Sequence, residues 1–445
     1  MIKKILHGKT IRTVVFYYVS FILLSTVILK LPFLLNPGES ISWLDAFFTS
    51  NSAVSTTGLT VFDYTTTYNY FGWFVLIILF NIGGMGILVL NTFVIILFGK
   101  KIGYKHRHLA KTDFNQLNES SIVSVIKAVV IFFVTFEIIG TILIFIGAQN
   151  EYATFMERFM SSWFLTASAI SGSGFFNFTP FIGDYYVQWV TIFLMWISFI
   201  GFPVIVEIFW YIRAKIQGND FAFSRFTKIV VKMNVITVLL FAGLYIMIEN
   251  DNTMQGMTII EQVNTALFMS TATKSVGLSL VTDMTALAPI TLFLFTLFML
   301  VGGSPSSACG GVKVVSVYVV FKYIVATFKG KVDVISYNFI IPSKTVTNSF
   351  LLIFLFIGIS IMTTIIFMIL EPSQQLLYVW FDVISAFTTT GFSTGSLAIM
   401  STVPVIIMSV LMGIGRIGIM NIMNLSEPGN TNDERIKFVE KDIAI

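Results

Sequence analysis

Four short strips rich in hydroxyl-bearing residues and glycine recur along this chain. They read Ser55-Thr56-Thr57-Gly58-Leu59, Ser171-Gly172-Ser173-Gly174-Phe175, Lys274-Ser275-Val276-Gly277-Leu278 and Thr388-Thr389-Thr390-Gly391-Phe392. When the fourth residues of the strips, all glycines, are aligned, a Ser-Ala or Thr-Ala pair precedes each of them at the same distance. The simplest interpretation is four copies of one supersecondary unit.

Backbone of this kind could coordinate a small cation. Four strips that each leave a helix at a glycine, arranged around a pseudo-fourfold axis, would supply a ring of carbonyl oxygens that replaces a hydration shell. Glycine suits the position because it has no side chain to occlude the axis and adopts angles that aim its carbonyl inward. One copy alone would be an ordinary polar turn, but four in register predict a permeation path. The candidate filter residues are Thr57, Gly58, Ser173, Gly174, Val276, Gly277, Thr390 and Gly391.

The composition places these strips in a membrane. The 445 residues are 56% hydrophobic and only 11% charged, with a mean hydropathy of +0.87, whereas soluble domains carry about 25% charged residues. We therefore predict an integral membrane protein. The single cysteine, Cys309, excludes an intrachain disulfide. The first apolar run, residues 11–35, is long enough to span a bilayer and has no signal-peptide cleavage site after it.

Each strip lies between a short and a long apolar segment. The short segment, about a dozen residues, cannot cross a hydrocarbon core of about 30 Å, so we predict a re-entrant half-helix. Its C-terminus, which carries partial negative charge, would point at the strip. The predicted fold is an all-α integral membrane protein with four span, half-helix, span repeats around a central pore, which gives eight full spans and four half-helices. The predicted repeats are 12–99, 122–213, 227–327 and 346–425; the termini are 1–11 and 426–445, and the intervening loops are 100–121, 214–226 and 328–345.

Charge agrees with this topology. If the basic N-terminus is cytoplasmic, only Lys30, Arg158 and Lys274 of the 27 Lys and Arg residues fall on the outer side, as the positive-inside rule requires. Acidic residues accumulate on that side and would concentrate cations at the pore mouth, although outer loops that are simply acidic are an equally good interpretation. We predict a multi-pass protein of the cell membrane with both termini in the cytoplasm.

Two of the spans that follow the strips carry unusual residues. Gly302–Gly311 in the third repeat includes four glycines and a proline, which an ordinary helix does not accommodate; non-helical backbone at this depth must be buried in protein or line a water path. Arg416 lies in the fourth apolar span, where an arginine should face the path or a partner. We predict that the intramembrane loop 302–313 is a gate, with a kinked helix as the alternative. The candidate gate residues are Gly302, Gly303, Ser304, Pro305, Ser306, Ser307, Ala308, Cys309, Gly310, Gly311, Lys313 and Arg416, the last as a barrier to cations or as a donor that holds the loop shut.

The remaining intramembrane features have simpler interpretations. Gly83-Gly84 and Gly201 are expected only to let helices pack closely, so the span 185–212 is expected to be continuous and only the third repeat strongly broken. For Glu137 and Glu207 a structural partner is favoured over a proton or cation site. The sequence contains no metal-ligand spacing, nucleophile constellation or phosphate loop, so the protein is not predicted to be an enzyme.

Taken together, these motifs resemble the TrkH/KtrB/HKT superfamily of potassium transporters, and within it the membrane subunits of bacterial Ktr uptake systems. The resemblance covers about residues 12–425. It implies that glycine in all four strips goes with potassium selectivity, that potassium binds the filter carbonyls, that loop 302–313 gates and that Arg416 faces the pore.

The resemblance also implies partners. It suggests a homodimer with one pore per protomer, and a cytoplasmic KtrA-like or KtrC-like nucleotide-binding ring through which ATP or ADP controls opening. No covalent cofactor and no nucleic acid is implied. The expected docking segments are residues 100–111 and 329–344 and the tail from residue 427; contact of their charges with lipid headgroups is the alternative.

The predicted function is potassium-selective, channel-like uptake driven by the membrane potential, with sodium activation left open. The main alternative is a sodium-permeable or sodium-coupled cation carrier of the same fold. A secondary transporter for a larger solute would call for inverted repeats and paired broken helices, which the parallel repeats do not favour. A non-transporting scaffold would leave the four strips unexplained.

Overall fold

The computed structural model describes residues 2–86, 122–149, 152–176, 184–331 and 333–419. Within these ranges the protein is built almost entirely of helices, and the only strands form one hairpin, β1 (Ile335–Ser336) with β2 (Phe339–Ile340). The prediction of an all-α fold is therefore confirmed.

The helices follow the order of the predicted repeats. The first unit contains α1 (Ile2–Leu29), α2 (Trp43–Ser55), α3 (Tyr64–Thr67) and α4 (Tyr70–Met85). The second contains α5 (Ile122–Gly147), α6 (Phe155–Ser171), α7 (Tyr185–Ile200) and α8 (Phe202–Ile216). The third contains α9 (Arg225–Glu249), α10 (Ile259–Ala272), α11 (Pro289–Leu300) and α12 (Val314–Phe328), and the fourth contains α13 (Ser343–Leu370), α14 (Leu376–Phe387) and α15 (Thr402–Ile417).

The short helices α2, α6, α10 and α14 each end at a strip. Three of them begin with a hydroxyl cap: the side chains of Ser42, Thr154 and Thr258 accept hydrogen bonds from the backbone N–H three residues later. In each case an acidic residue lies in the first turn, where its negative charge interacts favourably with the positive end of the helix dipole. The C-terminal halves of all four short helices are buried. Local capping residues therefore determine where three of these helices begin, and packing against the rest of the protein positions their C-terminal ends.

The short helices pack in a cyclic order. Each contacts the first helix of its own unit: α2 on α1, α6 on α5, α10 on α9 and α14 on α13. Each also contacts the post-strip helix of the preceding unit: α6 on α4, α10 on α7, α14 on α11 and, closing the circle, α2 on α15. This order brings the four strips to one central region.

The helices that follow the strips are shorter than predicted. By length and composition, three helices in the described ranges can cross a membrane, namely α5 from Val129, α9 and α13, and the bent pair α7–α8 meets the same test as one span. The expectation that 185–212 is continuous is wrong, because α7 and α8 are bent by 108° at Gly201. The predicted portion of the first repeat beyond residue 86 lies outside the described residues.

Glycines end the post-strip helices of the first, second and fourth units. Gly86, Gly201 and Gly418 end their helices with φ values of 87°, 91° and 88°, a region that residues with side chains rarely adopt. In the third unit α11 ends at Leu300 and the loop begins. Because the second unit is also broken, at Gly201, the expectation of a single strongly broken span is wrong. Gly83 does have the expected packing role, since a Cβ there would lie 2.5 Å from the carbonyl oxygen of Val54 at the end of α2.

The two acids Glu137 and Glu207 have structural partners. Glu137 on α5, 9% exposed, accepts hydrogen bonds from Asn81 Nδ2 on α4 at 3.0 Å and from Trp163 Nε1 on α6 at 2.6 Å. Glu207 accepts a hydrogen bond from the backbone N–H of Ser224, at the start of α9. Glu137 therefore joins helices of the first two units.

Replacing Glu137 tests whether it serves only in packing. Glu137→Gln keeps an acceptor oxygen, so we expect the thermal midpoint in detergent and the cation uptake to stay close to wild type. Glu137→Leu leaves two buried donors unpaired, which costs about 1–3 kcal/mol for each, and the midpoint should fall. Loss of uptake in Glu137→Gln with an unchanged midpoint would instead identify a proton or cation site.

Candidate functional site

The four strips share one backbone conformation. The residue two positions before each glycine is left-handed, with φ between 51° and 67°, at Thr56, Gly172, Ser275 and Thr389. The glycines also have positive φ, between 69° and 103°, at Gly58, Gly174, Gly277 and Gly391. Left-handed backbone is strained for residues with side chains, and costs roughly 1–2 kcal/mol each. Its repetition in strips of different sequence indicates that the surrounding packing imposes it.

Hydroxyl groups of the half-helices bind three of the strips. The residue six positions before the glycine is Ser or Thr in every unit. Ser52 Oγ accepts from Gly58 N at 3.1 Å, and Ser385 Oγ accepts from Gly391 N at 3.0 Å. In the second unit Ser168 Oγ instead accepts from the Ser173 hydroxyl at 3.0 Å. The sequence alignment revealed these positions but not their role.

The glycines and the carbonyl groups of the strips form a closed ring. A Cβ added at Gly58, Gly174, Gly277 or Gly391 would lie less than 3.0 Å from the carbonyl oxygen of Ser173, Val276, Thr390 or Thr57, respectively. Each glycine thus faces the carbonyl of the next unit, and the fourth faces the first. All eight sequence-predicted filter residues lie in this ring, in an arrangement that could present carbonyl oxygens to a cation.

The predicted gate residues lie directly against the strips. Thr56 Oγ1 donates to the carbonyl of Ala308 at 3.3 Å, and Ser275 Oγ accepts from Gly310 N at 2.9 Å. A Cβ at Gly172 would lie 3.7 Å from Cys309 Sγ, and one at Gly310 would collide with Thr389 Oγ1. Residues 308–310 therefore contact the left-handed residue of every strip.

The same loop pairs with the break between α7 and α8. Ser304 N donates to the Phe199 carbonyl at 2.9 Å, Phe202 N donates to the Ser306 carbonyl at 3.0 Å, and Ala308 N donates to the Ser198 carbonyl at 3.2 Å. A helix break exposes backbone groups that must find partners away from water, and the loop supplies them. The sequence signal was present in Gly201-Phe202-Pro203, since glycine at a helix end and proline in the next first turn mark a boundary.

Three cationic side chains donate to carbonyl groups in or beside the loop. Arg416, in the last turn of α15, donates to Ala308 O, and also to Gly83 O and, at 3.4 Å, Gly84 O at the end of α4. Lys313 Nζ donates to Cys309 O at 2.5 Å, and Lys274 Nζ donates to Val301 O at 2.9 Å. Arg416 thus links the first unit, the loop and the fourth unit.

A buried acid that the sequence analysis did not single out supports the fourth strip. Asp382 on α14 is fully buried and accepts from Thr394 N at 2.8 Å, Ser396 Oγ at 2.5 Å and Ser393 Oγ at 3.3 Å. It therefore holds the chain that leaves the ring after Gly391.

Comparison with known proteins agrees with this architecture. The family model described as "TrkH: Cation transport protein" matches residues 8–427, in agreement with the prediction that the chain is not an enzyme. The Ktr system potassium uptake protein D of Bacillus subtilis is 32% identical over 419 residues, which are 93% of this chain and 92% of the relative. The potassium/sodium uptake protein NtpJ of Enterococcus hirae is 26% identical over 439 residues, which are 95% and 94% of the two chains.

A solved structure shares the fold. The potassium transporter TrkH from Vibrio parahaemolyticus is 18% identical, and its structure matches 95% of this chain and 85% of its own with a TM-score of 0.71. The family model covers nearly the whole sequence, including every strip, the loop and Arg416. This chain belongs to the TrkH family of cation transport proteins.

Proposed function

We propose that this protein is a potassium-selective, channel-like uptake protein of the cell membrane. The observation that carries the proposal is the closed ring in which each strip glycine lies against a carbonyl of the next unit. The potassium uptake named for the B. subtilis relative supports the choice of ion. A membrane potential supplies about 2.3 kcal/mol per charge per 100 mV, which suffices to drive uptake without another energy source.

Gly58→Ser tests the filter. The new Cβ would lie 2.5 Å from Ser173 O in a backbone with φ of 93°, so that strip must shift and the ring must change shape. We expect the variant to lose preference for potassium over sodium, measured by competition among potassium, rubidium and sodium for uptake into liposomes.

The matched control is Gly243→Ser, because Gly243 on α9 has nothing within 4 Å of an added Cβ. It should keep wild-type selectivity. A Gly58→Ser protein that still prefers potassium as strongly as the wild type would remove the ring from the selectivity mechanism. Uptake of neither ion by the wild type, tested with its regulatory subunit, would refute the channel proposal.

We further propose that loop 302–313 is the gate and that its described position is closed. Residues 308–310 contact all four strips, and Arg416 holds Ala308 while also binding the end of α4. Opening requires the loop to leave the strips, so the bonds of Arg416 and those to Ser198, Phe199 and Phe202 oppose it. The α7–α8 break is thus part of the gate.

Arg416→Met tests this role. Hydrogen bonds from a charged donor contribute about 1.5–3 kcal/mol, so their loss should raise potassium uptake about ten-fold or more. The control, Arg213→Met, makes the same change at an exposed arginine on α8, and uptake should not change. Unaltered uptake in Arg416→Met, with wild-type expression and thermal midpoint, would exclude Arg416 from the barrier.

The proposal includes a homodimer, cytoplasmic termini and a KtrA-like or KtrC-like cytoplasmic ring that responds to ATP or ADP. The Ktr system named for the relative supports a regulatory partner. Of the expected docking segments, 329–344 contains the β1–β2 hairpin, whereas 100–111 and the tail from residue 427 lie outside the described residues.

A sodium-permeable or sodium-coupled carrier is the second candidate. The potassium/sodium uptake named for the E. hirae relative favours it. The competition measurement separates the two, because a sodium-permeable protein would take up sodium in the wild type at rates comparable with potassium. Stimulation of potassium uptake by sodium would instead identify sodium as an activator.

A further inference from the structure

The side chain three residues before the glycine has a different kind of hydrogen-bond partner in the third strip than in the other three. Three residues before the glycine, Ser55, Ser171 and Thr388 bond within their own half-helix or strip: Ser55 Oγ to Thr57 Oγ1 at 2.6 Å, Ser171 Oγ to Ala167 O at 2.6 Å and Thr388 Oγ1 to Ile384 O at 2.8 Å. The third strip has Lys274 there, and its ammonium group reaches out of the strip to Val301 O at 2.9 Å.

Lys274 is costly at this position. Its side chain is 0% exposed, and within the described residues no carboxylate forms an ion pair with it. A cationic side chain buried at membrane depth is expensive and usually has a functional reason. A methionine of similar length would fill the same space at less cost, so packing alone does not account for the lysine.

The acceptor of Lys274 lies at the neck of the loop. Val301 directly follows the last residue of α11, and the two ends of the loop meet beside it: Gly302 N donates to Val312 O at 3.0 Å, and Val312 N donates to Leu300 O at 3.1 Å. The hydrogen bond from Lys274 to Val301 therefore restrains the chain where the two ends of the loop meet.

The next residue of the strip, Ser275, binds the C-terminal part of the loop. Ser275 Oγ accepts from Gly310 N at 2.9 Å and donates to Thr389 O at 2.7 Å in the fourth strip. Two consecutive residues of the third strip thus bind Val301 before the loop and Gly310 in the C-terminal part of the loop, and one of them also binds the neighbouring strip.

We propose that Lys274 is a positioning residue that latches the neck of the intramembrane loop to the filter. The loop leaves the strips only after the bond from Lys274 to Val301 breaks, and through Ser275 its movement is transmitted to the third and fourth strips. This inference rests on the proposed gating function. It adds a second cationic anchor, on the third strip, to the one that Arg416 provides from α15.

The only cysteine of the chain reports the position of the loop. Cys309 lies within the loop and is buried, so its rate of reaction with a membrane-impermeant maleimide measures how often the loop leaves the strips. In full-length protein in nanodiscs, Lys274→Met should raise this rate about ten-fold, because a hydrogen bond from a charged donor is lost.

Thr273→Val is the matched control. Thr273 is the adjacent residue and is equally buried, but its hydroxyl donates to Ser270 O at 2.7 Å within its own half-helix. Its substitution should leave Cys309 labelling at the wild-type rate. If Lys274→Met does not give monodisperse protein, Lys274→Gln replaces it, because the shorter amide cannot reach Val301.

A second measurement separates latching from a general structural role. In a background that lacks residues 304–308, Lys274→Met should no longer change potassium uptake, because effects that act through the same element are not additive. Wild-type Cys309 labelling in a folded Lys274 variant, or an undiminished effect on uptake in the shortened background, would overturn the proposal. Cys309 labelling does not require transport. A wild-type protein that takes up no potassium would therefore refute the proposed function, and the labelling rates could still be compared.

Discussion

The central part of this structure depends on one constraint, which is that backbone groups at membrane depth have no water to bind. The protein contains three kinds of non-helical backbone in this region: the strips, the loop and the helix breaks. The strips, the loop and the helix breaks form hydrogen bonds with one another. The loop pairs with Phe199 and Phe202 at the α7–α8 break, Gly310 N binds Ser275, and Ala308 O receives donors from Thr56 and Arg416. The loop and the strips are therefore one hydrogen-bonded assembly.

Glycine serves two purposes in that assembly, and both follow from the missing Cβ. In the ring it allows the carbonyl of the next unit to approach. At Gly83 and Gly415 it allows α4 and α15 to approach the ends of the half-helices, where a Cβ would collide with Val54 O and Phe387 O. The backbone strain at Thr56, Ser275 and Thr389 persists because this packing leaves the strips no alternative conformation.

The cationic residues of this region also bind backbone carbonyl groups. Lys274, Lys313 and Arg416 each donate to a carbonyl in or beside the loop, and Arg416 also donates to the carbonyls of Gly83 and Gly84 at the end of α4. Under the proposed gating function, movement of the loop would break the hydrogen bond between Arg416 and Ala308.

The sequence by itself determined the membrane class, the half-helices and the four strips that meet in the ring, because composition, segment length, Ser/Thr caps and the repeated glycines are local properties. It also located the loop, since its glycines and proline exclude a helix. Only the tertiary structure decided that Gly201 breaks a helix while Gly83 allows two helices to pack closely, and that Arg416 binds Ala308 within the loop while Lys274 binds Val301 just before it. A glycine in an apolar span fits either role, and the partner of a long side chain depends on the cyclic packing of units far apart in sequence.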